Sequence, residues 1–324
     1  MSRIYKWNKY GLNAVSLAML LTVSASVSQA QRLGNSPYSA LGLGEPYEQA
    51  NVTNMGMGGI GVSNASPFFL NSQNPALLAR RTRFTIFEVG LLGQSRQLAQ
   101  RNAKQSSFGG NLSYVAMAFP ISSRWNSSIS LRPYTYVDYR SQQQRLVGSP
   151  TQYLTQYIYS GSGGVNRASF SNGVRVTKNV YVGAEASFLF GNIISSSNSQ
   201  VDVGAANLTL SRTNRVNYHD LLYRVGASWR PKLSETRFLN LGITYDPQVN
   251  IGTSEINVYQ QTVGGQPILN TLGQPVADTL DLNQSGSVTL PQQIHAGISF
   301  EQLNRFLVGV DVGYRPWSDF RNTR

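Results

Sequence analysis

The sequence predicts an all-β protein, an antiparallel transmembrane β-barrel. First, many segments alternate between apolar and polar residues, and a period of two gives a strand two chemically different faces. Second, the chain begins with the pattern of an export signal. Third, no later stretch approaches the ~20 continuous apolar residues that a membrane-spanning helix needs. Exported strands with one apolar face are typical of a barrel that has lipid outside and a polar lumen inside.

The first thirty residues, 1–30, predict a cleaved secretory signal peptide. A positively charged start is followed by apolar and small residues over 12–27, and Ser-Gln-Ala at 28–30 offers a cleavage site before Gln31. We therefore expect export through this signal and location in the cell outer membrane. The absence of cysteine excludes a disulfide scaffold and thiol chemistry. The charged start consists of Arg3, Lys6 and Lys9.

Residues 31–80 lack sustained alternation and are rich in Gly, Asn, Pro and Ser, which predicts a compact, irregular segment. Asn74 before Pro75 favours an extended or turn conformation, because proline restricts the residue that precedes it. Several glycines permit turns with positive φ and close packing inside a narrow lumen. These glycines are Gly56, Gly58, Gly59 and Gly61.

Residues 81–324 hold the predicted barrel, with about eleven or twelve strands that alternate in period two. Strands of about nine to eleven residues cross a bilayer at a tilt, whereas strands of soluble proteins have about five or six. A soluble, exported β-sandwich is the alternative fold. The predicted strands are 83–93, 110–120, 127–139, 152–160, 168–177, 179–190, 205–216, 221–230, 237–246, 291–300 and 305–315.

The alternation is clearest in 306–314, where Phe306, Val308, Val310, Val312 and Tyr314 share one face. In 127–139 the pattern places Ile129, Leu131, Val137 and Tyr139 on the apolar face. Charged residues fall on the opposite, polar faces, as a water-filled lumen requires. They are Arg132, Asp138, Glu185, Arg224 and Asp311.

The polar stretch 260–287 contains several Gly and Pro residues and is predicted to be a long extracellular loop. The chain stops at residues 320–324, soon after a strand, and a strand count of about eleven is odd, whereas single-chain bacterial barrels usually have an even number. We therefore expect a form that is truncated at the C-terminus.

Two motifs resemble the FadL-type family of outer-membrane transporters for hydrophobic compounds. The first runs from Met55-Gly56-Met57-Gly58-Gly59-Ile60-Gly61 to Asn74-Pro75-Ala76, and it is similar to the plug that precedes the first strand in that family. The second, at 313–320 (GYRPWSDF), resembles the family's tyrosine-to-Trp-Ser stretch. The resemblance is stronger still to the FadL-like proteins of gliding and type 9 secreting bacteria.

The resemblance implies a fourteen-stranded barrel when complete, plugged by an N-terminal hatch that corresponds to residues 31–80. Asn74, Pro75 and Ala76 belong to the hatch motif. It also implies passage of an apolar molecule through a pocket beside the hatch and sideways into the membrane. Phe68, Phe69 and Leu70 are candidates for lining that pocket. Alternatively, they wedge the plug against the barrel wall.

The formal charge of +12 does not by itself indicate a nucleic-acid partner, because the basic residues are dispersed and no RNA-binding signature accompanies them. We expect no nucleic-acid partner. Outer-membrane lipid and anionic lipopolysaccharide suit a cationic surface better. With two histidines and no cysteine, no zinc site is available, and no nucleophile motif or phosphate-binding loop occurs. We predict no enzyme activity, no cofactor and no metal; His295 is interpreted as a solvated lumen residue.

Three functions follow as hypotheses. The first is uptake of hydrophobic small molecules, such as long-chain fatty acids or aromatic compounds, past the hatch. The second is a barrel that does not transport but serves as plug, shuttle or anchor partner in a type 9 protein secretion complex. The third is a general water-filled porin, which would not need an apolar cluster or a Gly-rich plug.

Overall fold

The computed structural model describes residues 35–47, 50–64, 68–80, 84–100, 103–202, 207–273 and 277–323. The predicted signal peptide lies outside the described residues. The chain divides into two compact units. The first comprises Met1–Asn35 with Leu91–Leu112, and the second comprises Ser36–Gly90 with Ser113–Arg324. The described part of the first unit is Asn35 with 91–100 and 103–112, which are stretches of two paired strands. The candidate site and its contacts lie in the second unit.

Among the described residues, fourteen strands form one curled antiparallel sheet, consistent with a β-barrel, and this confirms the predicted fold class. The strands are β1 (Glu45–Pro46), β2 (Ile86–Gln100), β3 (Ala103–Pro120), β4 (Trp125–Val147), β5 (Tyr153–Arg175), β6 (Val180–Asp202), β7 (Asn207–Trp229), β8 (Arg237–Asp246), β9 (Val249–Val263), β10 (Gln266–Pro267), β11 (Ala277–Leu290), β12 (Gln293–Gln302), β13 (Phe306–Tyr314) and β14 (Arg321–Thr323).

Short helical turns interrupt the irregular parts of the chain. They are η1 (Pro37–Ala40), α1 (Val52–Met55), η2 (Pro75–Arg80) and η3 (Trp317–Asp319). None of the helices in the part of the chain that the structure describes has the length and apolar character to cross a membrane.

The strand order is β13-β12-β8-β7-β6-β5-β4-β3-β2. Beyond this path β9 pairs with β7, β11 with β9, and β14 with β11, while β1 pairs with β4 and β10 with β9. In the described residues eleven strands have nine or more residues. Eleven strands were predicted, but β9 and β11 are not among them, and β5 and β7 were each predicted as two strands. We call the end of the sheet with the short connections 121–124 and 176–179 the near end, and the end with 148–152 the far end.

The two faces of the sheet differ as the sequence predicts. We call the face that contacts residues 36–80 the inner face, and the opposite face the outer face. On β13, Val308, Val310 and Val312 lie on the outer face and are 60–66% exposed. On β6, Phe188 and Phe190 point outward, while Glu185 and Ser187 are buried on the inner face. Apolar side chains on an outer face gain free energy from lipid contact because water is excluded.

The predicted alternation of β4 is wrong beyond Leu131. A β-bulge between Pro133 and Thr135 inserts one extra residue, so every later side chain changes face. Val137 is therefore 4% exposed and packs in an inner cluster instead of facing outward with Ile129. That cluster comprises Leu43, Val137, Val165, Leu189, Ile193, Val216, Tyr218, Ile251, Val288 and Leu290.

The predicted loop at 260–287 and two predicted strand breaks are also wrong. β9 continues to Val263 and β11 begins at Ala277, so most of the predicted loop is strand. The predicted strands 152–160 and 168–177 are one strand, β5, and 205–216 and 221–230 are likewise one strand, β7. Ser, Thr, Asn and Gln residues occupy these regions, and their backbone pairs on both sides although their side chains carry no apolar signal.

Three neighbouring strands are interrupted at prolines, and the interruptions are in line across the sheet. Pro247 separates β8 from β9, Pro291 separates β11 from β12, and Pro316 lies between β13 and β14. The flanking pairs Asp246–Gln293 and Val249–Leu290 show that the breaks are adjacent. Proline lacks the N–H that the ladder needs, so pairing stops there. We call residues 247–248, 291–292 and 315–320 the proline seam.

Candidate functional site

The described residues between 36 and 80, which we call the inner segment, lie against the inner face of the sheet. Asn74 holds the middle of the inner segment in place. Its side chain is fully buried, and its Nδ2 donates to the carbonyl oxygens of Val62 at 2.8 Å and Ala227 at 3.2 Å. Its Oδ1 accepts a hydrogen bond from the Ala76 amide at 3.0 Å. The predicted motif Asn74-Pro75-Ala76 therefore starts η2 and ties the inner segment to β7.

A row of glycines on the sheet makes room for η2. Gly173, Gly183 and Gly226 are paired across β5, β6 and β7. A Cβ on any of them would overlap atoms of Asn74, Pro75 or Ala76. The three glycines are scattered in the sequence, so only strand register could have found this row.

Of the four glycines predicted to permit turns or close packing, two adopt the positive φ that glycine permits. Gly58 and Gly59 have φ of 72° and 87° and lie in the turn after α1. Gly56 has an ordinary φ of −61° and ends α1. A Cβ on Gly61 would overlap Gln73 Oε1, so the glutamine side chain would have to move.

The structure does not bring Phe68, Phe69 and Leu70 together. Phe68 is 63% and Phe69 49% exposed, whereas Leu70 is buried against Leu78 and Tyr114. None of the three lines the four cavities found among the described residues. Their role as a ligand pocket stays a prediction.

Two carboxylates of the sheet hold backbone amides of the inner segment. Asp311 Oδ2 on β13 accepts hydrogen bonds from the amides of Gly61 at 2.7 Å and Val62 at 2.8 Å. Glu88 Oε1 on β2 accepts from the Leu70 amide at 2.6 Å. Hydrogen bonds to charged groups are roughly twice as strong as neutral ones. The inner segment is thus anchored to strands at both ends of the sheet order.

Arginines anchor it elsewhere. Arg224 on β7 donates to both carboxylate oxygens of Asp246 at 2.6 and 2.7 Å, and its Nη1 lies 3.4 Å from the carbonyl oxygens of Ser72 and Gln73. A buried arginine normally requires such pairing. Arg132 Nη2 donates to Asn51 Oδ1 at 3.2 Å, again joining sheet and inner segment.

Arg80 is the last residue of η2, and its side chain reaches β8 and β12. It donates to Asn240 Oδ1 at 3.1 Å and lies 3.6 Å from Glu301, which also pairs with Arg230 at 3.0 Å. Burial lowers the pKa of Arg80 to about 10, and repulsion from Arg230 acts in the same direction, while Glu301 opposes both. The Glu301 carboxylate therefore interacts with both Arg80 and Arg230.

A cavity of about 780 Å³ lies between the inner segment and strands β12 and β13. We call it the main cavity. This volume is typical of small-molecule sites. One part of its lining is apolar, with Leu41, Leu43, Ile60, Trp317 and Phe320. The other part is polar, with Arg224, Gln293, His295, Asp311 and Arg315.

A smaller cavity of about 30 Å³ lies at the proline seam. Pro247, Pro291 and Tyr223 line it, together with Arg315 and Trp317, which also line the main cavity. The seam therefore adjoins the main cavity. Sequence reasoning missed this arrangement, because the three prolines lie far apart in the chain.

The histidines are separate. His295 lines the main cavity from the inner face of β12, as predicted, and His219 is exposed on the outer face of β7. Within the described ranges, no group of three or more His, Asp or Glu side chains could hold a metal ion.

Comparison with known proteins gives a family match. No curated protein and no solved structure matches the chain. The model of the BamG family matches residues 13–324, and it indicates an outer-membrane protein linked to barrel assembly. The FadL-type resemblance is not confirmed by this match. The chain belongs to the BamG family.

Proposed function

We propose that this protein is a docking subunit in outer-membrane barrel assembly, a barrel that holds other proteins in place instead of passing solutes. The family match supports the link to barrel assembly. The observation that carries the proposal is the fastening of the inner segment. Glu88, Asp311 and Arg224 bind its backbone from three strands, and Arg80 extends from it to Glu301.

The strength of this fastening argues against a movable gate. A hydrogen bond to a charged group contributes about 1.5–3 kcal/mol, and leaving such a buried group unpaired costs more. Moving residues 60–73 would break the bonds from Gly61, Val62 and Leu70 to two carboxylates at once. The inner segment therefore acts as a permanent internal brace that keeps the outer surfaces in a fixed arrangement.

The test is co-purification from outer membranes extracted in mild detergent. We expect the tagged protein to be recovered with barrel-assembly proteins, and its depletion to lower the amounts of other outer-membrane barrels. Recovery with components of a type 9 secretion complex instead would favour the secretion-partner function that the resemblance implies. Isolation as a free barrel, with unchanged levels of other barrels, would overturn the docking proposal.

A second candidate, uptake of hydrophobic small molecules, is favoured by the main cavity and the proline seam. Leu43, Trp317 and Phe320 give this cavity an apolar part next to the break in the sheet. The test is organic extraction of the purified protein followed by mass spectrometry. A stoichiometric fatty acid or aromatic compound would support uptake, which deletion of residues 31–80 should then abolish. Extracts without such a compound would count against it.

We further propose that the outer face contacts outer-membrane lipid and lipopolysaccharide. Its apolar residues on β13 and β6 suit acyl chains, and the formal charge of +12 suits anionic headgroups. The proposed function includes no catalytic step and no cofactor. Native mass spectrometry with and without lipopolysaccharide tests the lipid partner, and we expect bound lipopolysaccharide to be lost as ionic strength rises.

A further inference from the structure

Another cavity, of about 290 Å³, lies on the inner face in the far half of the sheet. We call it the far cavity. It is lined by residues of β4, β5, β6, β7 and β14 and by the end of η1. Tyr159 is 42% exposed, so the cavity can be reached from solvent. Its lining includes Tyr139, Tyr159, Ser197, Arg212 and Asn214.

Arg212 brings a positive charge to the far cavity that no carboxylate neutralises among the described residues. Its guanidinium lies 5.5 Å from the centre of the Tyr259 ring, and it makes one long hydrogen bond of 3.5 Å to Asn257 Oδ1. A guanidinium presents five N–H donors in a planar fork that matches a carboxylate. Arg212 therefore has donor capacity for an acidic group.

Asn214 lies two residues further along the inner face of β7, and among the described residues no group donates a hydrogen bond to its side-chain oxygen. Its Nδ2 donates to Glu255 Oε1 at 2.6 Å, and Glu255 also accepts from Asn257 at 3.1 Å. The Asn214 Oδ1 atom is buried and has no hydrogen-bond partner in the described part of the chain. A buried acceptor without a partner is costly, and an N–H group that reached it would remove that cost.

The remaining surface is suited to polypeptide. Val137, Ile193 and Val216 give an apolar floor that continues into the inner cluster. Tyrosine, serine, glycine and asparagine dominate the rest of the lining, the same residue types that antibody loops use to bind proteins. Tyrosine supplies large, rigid contact area at low cost in conformational entropy.

We propose that the far cavity binds an extended polypeptide segment of a partner protein through an acidic side chain. The acidic side chain pairs with Arg212, a backbone N–H of the segment donates to Asn214 Oδ1, and a neighbouring side chain packs between Tyr139 and Tyr159. This inference rests on the proposed docking function and names the chemistry of the segment that docks. It requires both a carboxylate and an N–H donor, a combination that a neutral sugar does not offer.

The test uses the full-length purified protein on arrays of short synthetic peptides of varied sequence, with and without one Asp or Glu. We expect binding of acidic peptides that falls about tenfold or more in Arg212→Ala, since a charge-assisted bond is lost. Arg215→Ala is the matched control, because Arg215 is exposed on the outer face of the same strand. Its affinity for the peptides should equal that of the unmodified protein.

A second variant protects the test against misfolding. Tyr159→Ala leaves the cation in place and should weaken all bound peptides, acidic or not, by loss of apolar contact. Binding that is indifferent to peptide acidity and unchanged in Arg212→Ala would overturn the inference. A photocrosslinker at Ser197 in cells separates the two proposals. If barrel-assembly proteins co-purify but none is crosslinked, the far cavity is not their site, although the docking function stands.

Discussion

The carboxylate of Asp311 accepts hydrogen bonds from the amides of Gly61 and Val62, residues that precede it by 250 and 249 positions. Asp311 lies on β13, one end of the strand order, and Glu88 on β2, the other end, binds the Leu70 amide of the same segment. A stretch of ten residues is therefore bonded to both ends of the sheet order. The inner segment does not merely fill space; it links strands that are distant in the sheet.

Replacement of Asp311 by asparagine should destabilise the protein by about 1–3 kcal/mol, because both hydrogen bonds end on the same oxygen, Oδ2, and lose the negative charge of their acceptor. Thermal unfolding in detergent measures the change. Asp319→Asn is the control, since Asp319 is exposed in η3 and should alter stability little. Equal unfolding temperatures for the two variants would show that the Asp311 anchor is unimportant.

Gly183→Ala should displace η2. The added methyl group would overlap backbone atoms of Pro75 and Ala76, which cannot move away as a flexible side chain can. Overpacking of this kind costs about 1–3 kcal/mol. We expect faster proteolysis within residues 36–80. Gly252→Ala provides the comparison, because the nearest atom to its Cβ would be His219 O at 3.7 Å, an ordinary contact. Identical proteolysis of both variants would contradict this account of the glycine row.

Asn74→Ala should cost about 2–4 kcal/mol. The change leaves the carbonyl oxygens of Val62 and Ala227 and the amide of Ala76 without their partner in a buried site. Unfolding by denaturant after extraction measures the loss. Asn179→Ala, in the exposed connection between β5 and β6, should stay within about 0.5 kcal/mol of the unmodified protein. A small effect at Asn74 would mean that water replaces its side chain.

Glu301→Gln should destabilise the protein by about 1–3 kcal/mol, because Arg80 and Arg230 then face each other without a carboxylate. Burial already lowers the pKa of Arg80 to about 10, so its charge is poorly solvated. Adding Arg80→Met to Glu301→Gln should restore part of the loss. A double-mutant cycle of unfolding free energies checks this, and additive effects would contradict the coupling.

The sequence predicts most strands of the near half because lipid imposes a strict pattern there. Val308, Val310 and Val312 alternate with Gly and Asp, so both the strand and its outer face are evident. In the far half, β9 and β11 were not predicted because they are held by backbone pairing between polar residues, which leaves no apolar signal in the sequence. The bulge at Pro133 reversed the faces of β4 for a reason visible only in its register with β5.

The site was predicted only in part. Asn74, Pro75 and Ala76 were found because a turn motif is local, and their fixed position on the inner face follows from bonds within reach of that motif. The main cavity was missed, since its lining comes from residues near 41–47, 58–62 and 290–320 that only the fold brings together. Whether a single apolar residue such as Phe68 is exposed or buried likewise depends on residues that only the fold brings close to it.

Trp317 allows the two candidate functions to be separated, because it lines the main cavity whereas Trp125 and Trp229 are exposed near the near end of the sheet. A brominated fatty acid quenches tryptophan fluorescence on contact. If the cavity binds such a molecule, quenching should contain a saturable part that Trp317→Phe removes, while Trp229→Phe reduces only the non-saturable part caused by acyl chains around the barrel. If the protein is a docking subunit with an unoccupied cavity, quenching should rise without saturation and Trp317→Phe should leave its concentration dependence unchanged. Saturable quenching that persists in Trp317→Phe would instead indicate an apolar site elsewhere, and neither the main cavity nor the seam beside it would then explain ligand binding.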